Sequence, residues 1–411
     1  MAYLCMMKQR THFKFFILYI MLLAPLELFA QSKVSLKDFL DRIQNQNLDI
    51  KVESAKADAA KSRAIGVKIP EPMVGAIQMT DQSGSTTRGF EISQTVPFPT
   101  KVTADLNARD YEAKSQNEMS LAERNEILAR AKNVYLALWA AQEKSSLLLE
   151  KKKIIKGHIS LSRSTARSDS FAAVHVIKAE YDFDYLDNEI AEIDQALRSQ
   201  QIEAAILLNA DVNTFKLVTT EPEISSVPKI ESVDSSPQLQ AQKFNLESLR
   251  SKEFAAKSMW LPDFNFRYRQ LEQSSMLPRY NELMVNITLP FVYFWQPYSE
   301  SSAATSERLS AEYQLQKQER ALTGTRAILL SKAESLKKQL DNVRQNLIPK
   351  AERRMKLVQN LAPRDIETLQ DHREAMEAFP DLKLKAVDLR LEYERTVFEL
   401  EKYHRGTNEK N

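Results

Sequence analysis

Two proline-containing motifs occur in the same order in each half of this chain. Segments 68–72 (KIPEP) and 95–98 (TVPF) in the first half correspond to segments 260–264 (WLPDF) and 288–291 (TLPF) in the second. The first prolines of the two pairs lie 192 residues apart, and the second prolines lie 193 residues apart. Repetition at a fixed period constrains the architecture more strongly than any single residue. We therefore expect two repeats, each built as helix, strand, strand and long helix.

Long helices are predicted for most of the chain. Glycine occurs only 7 times in 411 residues, and four of these glycines fall between positions 66 and 89. The apolar periodicity predicts helices over 36–67, 102 to about 158, 171–208, 239–259, 301 to about 358 and 366–403, with polar turns at 162–170 and 360–365. At 1.5 Å per residue the first and third helices together match the second in length. Two shorter helices are thus expected to stack end to end beside each long one.

Apolar residues in these helices follow coiled-coil spacing. Three seams carry the pattern: Ile127, Ala131, Val134, Leu138 and Ala141; Phe183, Leu186, Ile190, Ile193 and Leu197; Leu315, Leu322, Leu329, Leu336 and Val343. A second stripe, Leu121, Leu128 and Tyr135, lies on the same helix as the first seam. Two stripes indicate neighbours on two sides, as in a closed ring of helices. An ordinary long antiparallel bundle shows the same periodicity.

Four short strands are predicted at about 73–80, 90–94, 264–269 and 283–288. Apolar and polar residues alternate along them, so that one face of a sheet is apolar and the other is polar and exposed to water. A transmembrane barrel has this pattern, and so does a half-buried soluble sheet. Four strands cannot close a barrel, and backbone groups in lipid must all be paired. A membrane-spanning sheet would therefore have to close across several chains.

The N-terminal residues 1–30 have the pattern of a secretory signal peptide. Lys8, Arg10 and Lys14 precede a short apolar run, and Ala30 offers a cleavage site before Gln31. A membrane anchor that is not cleaved is the alternative. Cleavage would remove the only cysteine, Cys5, and leave 54 basic and 54 acidic residues. This balance gives no indication of a nucleic-acid partner.

The motifs and breaks divide the chain into five parts. We expect a signal peptide over 1–30, a first repeat over 31–209, a Pro- and Ser-rich linker over 210–237, a second repeat over 238–405, and a disordered tail over 406–411.

No constellation for catalysis is present in the sequence. The mature chain would contain four histidines, His158, His175, His372 and His404, and none lies at metal-ligand spacing from another. Phosphate-binding loops and nucleophile motifs are also missing. We predict a protein that is not an enzyme and that holds neither a cofactor nor a metal.

The duplicated plan and the Pro-Phe turns resemble those of the TolC family of outer-membrane efflux proteins. The resemblance extends over residues 34–405 and is nearest to the heavy-metal and multidrug branches. It implies a mainly α-helical homotrimer with a periplasmic helical tunnel and a shared twelve-stranded β-barrel in the outer membrane of a Gram-negative bacterium. It also implies a periplasmic adaptor protein and an inner-membrane transporter as partners. The strands are short, however, and the turns at 162–170 and 360–365 lack a small-residue tip motif for docking an adaptor.

The resemblance assigns candidate roles to acidic residues beside the second turn. Asp365, Glu367 and Asp371 are candidates for the periplasmic aperture, where three copies would form an acidic ring that favours cations. The alternative is that acids in the first turn of a helix stabilise its dipole.

Two further groups of residues are assigned by the strand pattern. Glu91, Arg267 and Arg269 are expected to face a barrel lumen if the strands span the membrane. The aromatic residues Trp260, Tyr293, Trp295 and Tyr298 flank the strands, where interfacial aromatics of a membrane protein belong.

The sequence is compatible with three hypotheses about function. The leading hypothesis is the channel component of a tripartite efflux system, a passive trimeric duct in contact with outer-membrane lipid. The second is a periplasmic coiled-coil scaffold or adaptor in which the strands form a small soluble domain. The third, a cytosolic helical protein, requires that residues 1–30 are not a signal peptide.

Overall fold

A computed structural model describes residues 33–80, 82, 84, 86–165, 172–228, 233–273, 279–359 and 366–403. The predicted signal peptide, most of the two predicted helix turns, and the predicted disordered tail lie outside the described residues.

The first predicted helix is in fact two helices, α1 (Leu36–Gln46) and α2 (Leu48–Ala64), so the prediction of one helix over 36–67 was wrong. Asn47 separates them with an extended backbone at ψ 130°. Its side-chain oxygen accepts a hydrogen bond of 2.9 Å from the backbone N–H of Asp49, and so caps α2. Its amide nitrogen donates to the carbonyl of Leu207 at 3.0 Å. The break in the helix thus becomes a contact with the end of a distant helix.

Six further helices follow. They are α3 (Pro99–Thr165), α4 (Ala172–Leu207), α5 (Pro237–Lys257), α6 (Trp295–Asn342), α7 (Ile348–Gln359) and α8 (Ile366–Glu401). A π-helical turn, Val343–Leu347, joins α6 to α7, and 3₁₀ turns lie at Val233–Ser235, Ser258–Trp260 and Pro290–Tyr293. Two helices are longer than predicted. Helix α3 continues through the first four residues of the predicted turn at 162–170, and α6 begins six residues before the predicted start.

Helix α3 is the longest element and has neighbours along its whole length. On one side α2, α1 and α4 stack end to end beside it, as three cross-helix contacts show: Arg109 to the carbonyl of Gly66 at 3.2 Å, Arg124 to Gln44 at 3.0 Å, and Arg130 to Glu203 at 2.9 Å. The contact between Asn47 and Leu207 marks the junction of the stacked helices. The stacking predicted from helix lengths is thereby confirmed.

On its other side, α3 packs against α5 and then α8, which also stack end to end. Ser115 of α3 donates to the carbonyl of Ala241 in α5 at 2.8 Å, and Lys151 of α3 pairs with Asp381 of α8 at 2.7 Å. Helix α6 lies beyond α5 and α8, and α7 packs on α8. The helices therefore form a row four deep, with α1, α2 and α4 at one edge and α6 and α7 at the other.

The coiled-coil seams lie in the interior of this row. Ile127, Ala131, Val134 and Leu138 are buried in one core cluster together with Tyr135 of the second stripe. Leu186, Phe183, Ile190 and Ile193 contribute to a second cluster, and Leu329, Leu336 and Val343 contribute to two others. Both stripes of α3 thus contribute to one cluster, and the predicted assignment of the two stripes to two different sides was wrong. The α3 residues that pack on α8 are others, among them Leu136 and Trp139.

The four strands form one antiparallel sheet in the order β1-β2-β3-β4. They are β1 (Met73–Thr80), β2 (Thr86–Val96), β3 (Phe264–Gln273) and β4 (Tyr280–Ile287), so β2 and β3 are longer than the sequence pattern indicated. Within the described residues, β1 and β4 each have one edge that pairs with no other strand. The sheet is open at both sides.

The predicted linker packs against the helices as far as residue 228, where its first described stretch ends. The N–H of Val34 donates to the carbonyl of Val218 at 2.9 Å, and Tyr393 of α8 donates to the carbonyl of Ser225 at 2.8 Å. Arg390 of α8 donates to the carbonyl of Pro222. Proline and serine content predicts a connection but gives no sign of these contacts, which fasten the segment to the middle of the row.

Candidate functional site

The repeated proline motifs meet at the helical end of the sheet. Asp263 accepts hydrogen bonds from the backbone N–H of Phe98 at 3.0 Å and from the ammonium group of Lys101 at 2.8 Å. The rings of Phe98 and Phe264 stack with centroids 6.4 Å apart. Asp263 and Thr288 also exchange hydrogen bonds, which join the start of β3 to the end of β4. The two halves of the chain are therefore tied together where the strands meet the helices.

One face of the sheet carries a cluster of charged residues. Arg269 of β3 donates to Glu91 of β2 at 2.8 Å and lies 3.6 Å from Glu282 of β4. Arg267 lies 3.4 Å from the second carboxylate oxygen of Glu91. The structure thus brings together the three residues predicted for a lumen, and it adds Glu282, which the sequence analysis missed. Glu282 directly precedes the predicted strand, and the strand begins two residues before it.

Gly89 allows β2 and β3 to approach closely. A Cβ atom at this position would lie 2.0 Å from the carbonyl oxygen of Gln270, so a larger residue requires the backbone to move. The position lies two residues from Glu91 on the same face of the sheet. We infer that this glycine is needed for the strand spacing that positions the charged cluster.

The opposite face of the sheet is apolar and exposed. Its apolar members are Val74, Ala76, Phe90, Ile92, Phe264, Phe266, Tyr268, Leu283, Val285 and Ile287. Polar residues lie on the same face towards the end that is away from the helices, namely Gln78, Arg88, Gln270, Glu272 and Asn281. Most of the apolar members are more than one-third exposed, and Val74 and Leu283 reach 73%. In β1 the register places Val74 and Ala76 on this face, whereas Met73 and Ile77 lie on the face of Glu91. Residue hydropathy alone does not assign the faces of β1, because both sets are largely apolar.

The four aromatic residues predicted for a membrane interface lie at one end of the sheet. Trp260 ends the 3₁₀ turn before β3, while Tyr293, Trp295 and Tyr298 follow the end of β4. Because β3 and β4 are antiparallel, these positions are at the same edge. All four side chains are exposed, and Tyr293 and Trp295 form an edge-to-face pair at 5.5 Å.

The acidic residues predicted for an aperture are described only in part. Asp365 lies outside the described residues. Glu367 and Asp371 lie in the first two turns of α8 with exposed side chains, and neither forms an ion pair with another described residue. Their position allows both hypotheses, an acidic ring and stabilisation of the helix dipole.

Two histidines lie close together near the end of the helical row that contains Glu367 and Asp371. Nε2 of His158 in α3 lies 3.2 Å from Nδ1 of His372 in α8. Burial lowers the pKa of His158 to about 4, and the charges of His372 and Arg373 add to the shift; burial also lowers the pKa of His372. Sequence spacing gave no sign of this pair. The two histidines lie side by side because α3 and α8 run antiparallel, which places the end of α3 beside the start of α8.

An ion-pair network lies beside the histidines. Arg373 of α8 pairs with Asp182 of α4 and, at 2.7 Å, with Glu377 of α8. The network therefore connects α4 to α8 close to the turns of both helix pairs.

Within the described ranges, no three histidine, cysteine or acidic side chains come together as a possible metal site. Among those same residues, no helix has both the length and the apolar character that membrane crossing requires.

The chain matches solved structures over almost its full length. The outer-membrane channel CmeC of Campylobacter jejuni gives a TM-score of 0.73 at 13% identity, covering 90% of this chain and 85% of CmeC. The open-state outer-membrane channel MtrE of Neisseria gonorrhoeae gives 0.73 at 14% identity, with 90% and 88% covered. The outer-membrane protein VceC of Vibrio cholerae gives 0.69 at 12% identity, with 88% and 95% covered. No protein-family model matches the sequence, and a search of curated proteins finds no match.

These similarities, together with the open sheet above a row of long helices, define the class of fold. The chain has the fold of the TolC-family outer-membrane efflux channels, as the sequence resemblance predicted. At 11 to 14% identity the similarity establishes the fold, and the function requires a separate argument from the residues.

Proposed function

We propose that this protein is an outer-membrane channel, a passive homotrimeric duct that carries substrate out of the periplasm. The observation that carries the proposal is the open sheet, with one exposed apolar face and two unpaired edges. In lipid, unpaired backbone groups are too costly for such a sheet to exist alone. Pairing with copies of itself satisfies the edges and turns the apolar face towards lipid.

The strands are suited to this closure. They contain 8 to 11 residues, close to the roughly 9–11 residues that a tilted strand needs to cross a membrane. Because every pairing is antiparallel, β1 and β4 run in opposite directions, and β4 of one copy can pair antiparallel with β1 of the next. Three copies would give a closed barrel of twelve strands, an even number as in other barrels of this kind.

The helical row also requires neighbours at both edges. Exposed apolar residues lie on α2 and α4 at one edge and on α6 and α7 at the other: Leu48, Val52, Val174, Ile177, Tyr181, Tyr185, Ile202, Ile206, Leu309, Tyr313, Ile328 and Leu357. Exposed apolar surface of this extent indicates a protein contact. A ring in which the α4 edge of one copy packs on the α6 edge of the next buries both sets. Sheet and helices thus favour the same assembly.

In this assembly the charged face of the sheet lines a water-filled lumen. Glu91, Arg267, Arg269 and Glu282 would be repeated three times around the axis. The two arginines are matched by two glutamates, which makes the ring close to neutral. A lumen of this kind suits a duct for varied substrates, since it has no strong field of either sign.

The exposed aromatics at the helical end of the sheet would mark the inner membrane–water interface. Trp260, Tyr293, Trp295 and Tyr298 have the amphipathic rings that settle at lipid headgroups. The helices would then extend into the periplasm of a Gram-negative bacterium. The acids Asp365, Glu367 and Asp371 would lie at the far end of the tunnel and narrow its aperture.

A passive duct needs an energy source, which we assign to an inner-membrane transporter linked through a periplasmic adaptor. The chemistry of the chain supports this division, because the described residues contain no cluster suited to metal binding and the sequence contains no nucleotide-binding motif. We propose accordingly that the protein is not an enzyme. A periplasmic scaffold remains the second candidate, but it gives no reason for an exposed apolar sheet face.

Cysteine labelling in intact cells tests the orientation of the sheet. The variants F266C and R267C differ by one position on β3 and therefore place a thiol on opposite faces. Because Cys5 is the only native cysteine and lies in the predicted signal peptide, labelling reports on the new thiol alone. A small charged maleimide should label R267C and should label F266C only after denaturation. Equal labelling of both variants before denaturation would contradict a lipid-facing apolar surface.

A further inference from the structure

A small cavity lies in the middle of the helical row, away from the sheet and from the turns. Its volume is about 210 Å³. Helices α3 and α8 form its walls, the π-helical turn contributes Arg344, and Glu221 of the segment between the repeats lies at its rim. Pockets for drug-sized ligands are about 300–1,000 Å³, so this cavity suits a smaller molecule.

The lining combines apolar and charged side chains. Trp139, Leu147, Leu340, Ile348 and Val387 supply the apolar surface. Arg344, Lys383 and Arg390 supply three cations, and Glu143 and Glu221 supply two carboxylates. An apolar pocket with a few convergent polar groups is the usual arrangement of a small-molecule site.

Two of the three cations are not held in a close ion pair within the part of the chain that the structure describes. Neither Arg344 nor Lys383 forms an ion pair with a carboxylate among the residues that the structure describes. Lys383 lies over the ring of Phe379 at 4.2 Å. The pKa of Glu352 on α7 is lowered mainly by its hydrogen bond to Lys356 and in smaller part by the charge of Lys383. Cations without a close carboxylate partner at a cavity are available for an anion.

Arg390 provides a second, independent indication. Its side chain is 4% exposed, and its guanidinium lies over the ring of Trp139 at 4.5 Å. It pairs with Glu221 and donates to the carbonyl of Pro222, yet its Nε is buried without an acceptor among the described residues. Buried donors normally have a partner, so an unsatisfied one at a cavity wall points to a missing acceptor.

The π-helical turn Val343–Leu347 gives a third indication. Such turns interrupt α-helices rarely and frequently occur at functional sites. This one interrupts a segment with helix on both sides and carries Arg344, which lines the cavity. The irregular backbone and the unpaired cation therefore coincide.

From these observations we propose that the cavity binds a small organic monocarboxylate with an apolar body, such as an aromatic acid of benzoate size. The carboxylate is recognised by Arg344 and Lys383, and the ring packs on the apolar side chains of the lining. Arginine suits this task because its planar group matches a carboxylate. The site lies among the helices and away from the charged cluster of the sheet. Ligand binding to it can be measured without measuring channel activity.

Binding of benzoate to the purified full-length protein tests the proposal by ligand-observed NMR, with benzyl alcohol as the neutral analogue of similar shape. Benzoate should bind saturably and about tenfold more tightly than benzyl alcohol, since the alcohol lacks the charge. The double variant R344Q/K383Q should abolish this preference. Because neither cation holds an ion pair, the variant is expected to fold normally, which circular dichroism and the oligomeric mass would verify.

The matched control is the double variant K317Q/R354Q, which removes one lysine and one arginine from exposed positions on α6 and α7 outside the cavity. It should keep the preference for benzoate. The detergent is the same for every variant, so partition of the probe into micelles cancels in the comparison. Equal binding of benzoate and benzyl alcohol, equal binding by R344Q/K383Q and wild type, or no saturable binding up to about 10 mM would each overturn the proposal.

Discussion

The carboxylate of Asp263 accepts a hydrogen bond from the backbone N–H of Phe98, 165 residues earlier in the chain, at 3.0 Å. This contact joins the start of β3 to the start of α3 and so connects the two repeated proline motifs. Lys101 adds an ion pair to the same carboxylate oxygen. The motifs that were most informative in the sequence thus meet where the sheet is attached to the helical row.

Removal of this carboxylate should destabilise the junction. In D263A the N–H of Phe98 loses its acceptor and Lys101 loses its partner, and we expect a loss of about 1–3 kcal/mol in stability. The matched control is E71A, because Glu71 occupies the equivalent position in the first motif but is exposed and has no ion pair among the described residues. Thermal unfolding of the two variants measures the difference. Similar unfolding midpoints for D263A and E71A would show that the junction does not depend on Asp263.

Arg267 should influence the ion selectivity of the channel. Its guanidinium lies 3.4 Å from Glu91 and is more loosely paired than that of Arg269. R267A removes one positive charge per copy from the proposed lumen and should raise the cation-to-anion permeability ratio about two- to fivefold. Reversal potentials in planar bilayers report this ratio. The control R88A removes an arginine from the opposite face of the sheet and should leave it unchanged. An identical shift of the permeability ratio in both variants would contradict the position of Arg267 in the lumen.

Neutralising the acidic residues beside the second turn distinguishes a gate from stabilisation of the helix dipole. If Asp365 and Asp371 narrow the aperture, D365N/D371N should raise single-channel conductance or lower the preference for cations. If they only stabilise the dipole of α8, the variant should lose at most about 0.3–1 kcal/mol in stability and conduct normally. The control E334Q removes an exposed acid from the last third of α6, more than twenty residues before the turn in sequence. An unchanged channel in D365N/D371N would reject the gate.

Acidification should loosen the helix pair that contains the two histidines. The folded state lowers the pKa of His158 to about 4, below the ordinary value of 6.5, so the unfolded chain binds the proton first as pH falls. Stability is therefore full above about pH 6.5 and is lost between about 6.5 and 4, by about 1–3 kcal/mol. Unfolding temperatures measured from pH 7.5 to 4.5 test this expectation.

The variant H158Q removes the titrating group and should flatten the pH dependence in that window. H175Q removes a histidine elsewhere, on α4, and should keep the wild-type pH dependence. If H158Q and H175Q lose stability equally on acidification, another group is responsible.

The strands and most helices were predictable because the pattern that specifies each of them lies within a short stretch of sequence. The alternation over 264–269 and the heptad spacing around Ile127 and Leu138 can be recognised from residues that are close together in sequence. The break at Asn47 was not predicted, since a single polar residue within a helical pattern looks like an exposed position. Only its contact with Leu207 shows that the chain must turn there.

The candidate site was predictable only in part, for a related reason. Glu91, Arg267 and Arg269 could be assigned to one face from alternation alone, and the structure brings them into contact. The pair of His158 and His372 depends on the register between helices more than two hundred residues apart in sequence. Periodicity fixes which face a residue occupies, but it does not fix the level at which two helices meet.

The most direct test of the central claim is the location and mass of the native assembly. We would fractionate cells that produce the C-terminally tagged protein, wash the outer membranes with carbonate, and determine the mass of the detergent-extracted species. The account predicts a carbonate-resistant outer-membrane protein that begins at Gln31 and has three times the mass of the mature chain. A soluble monomer in the periplasm would contradict it and would favour the scaffold.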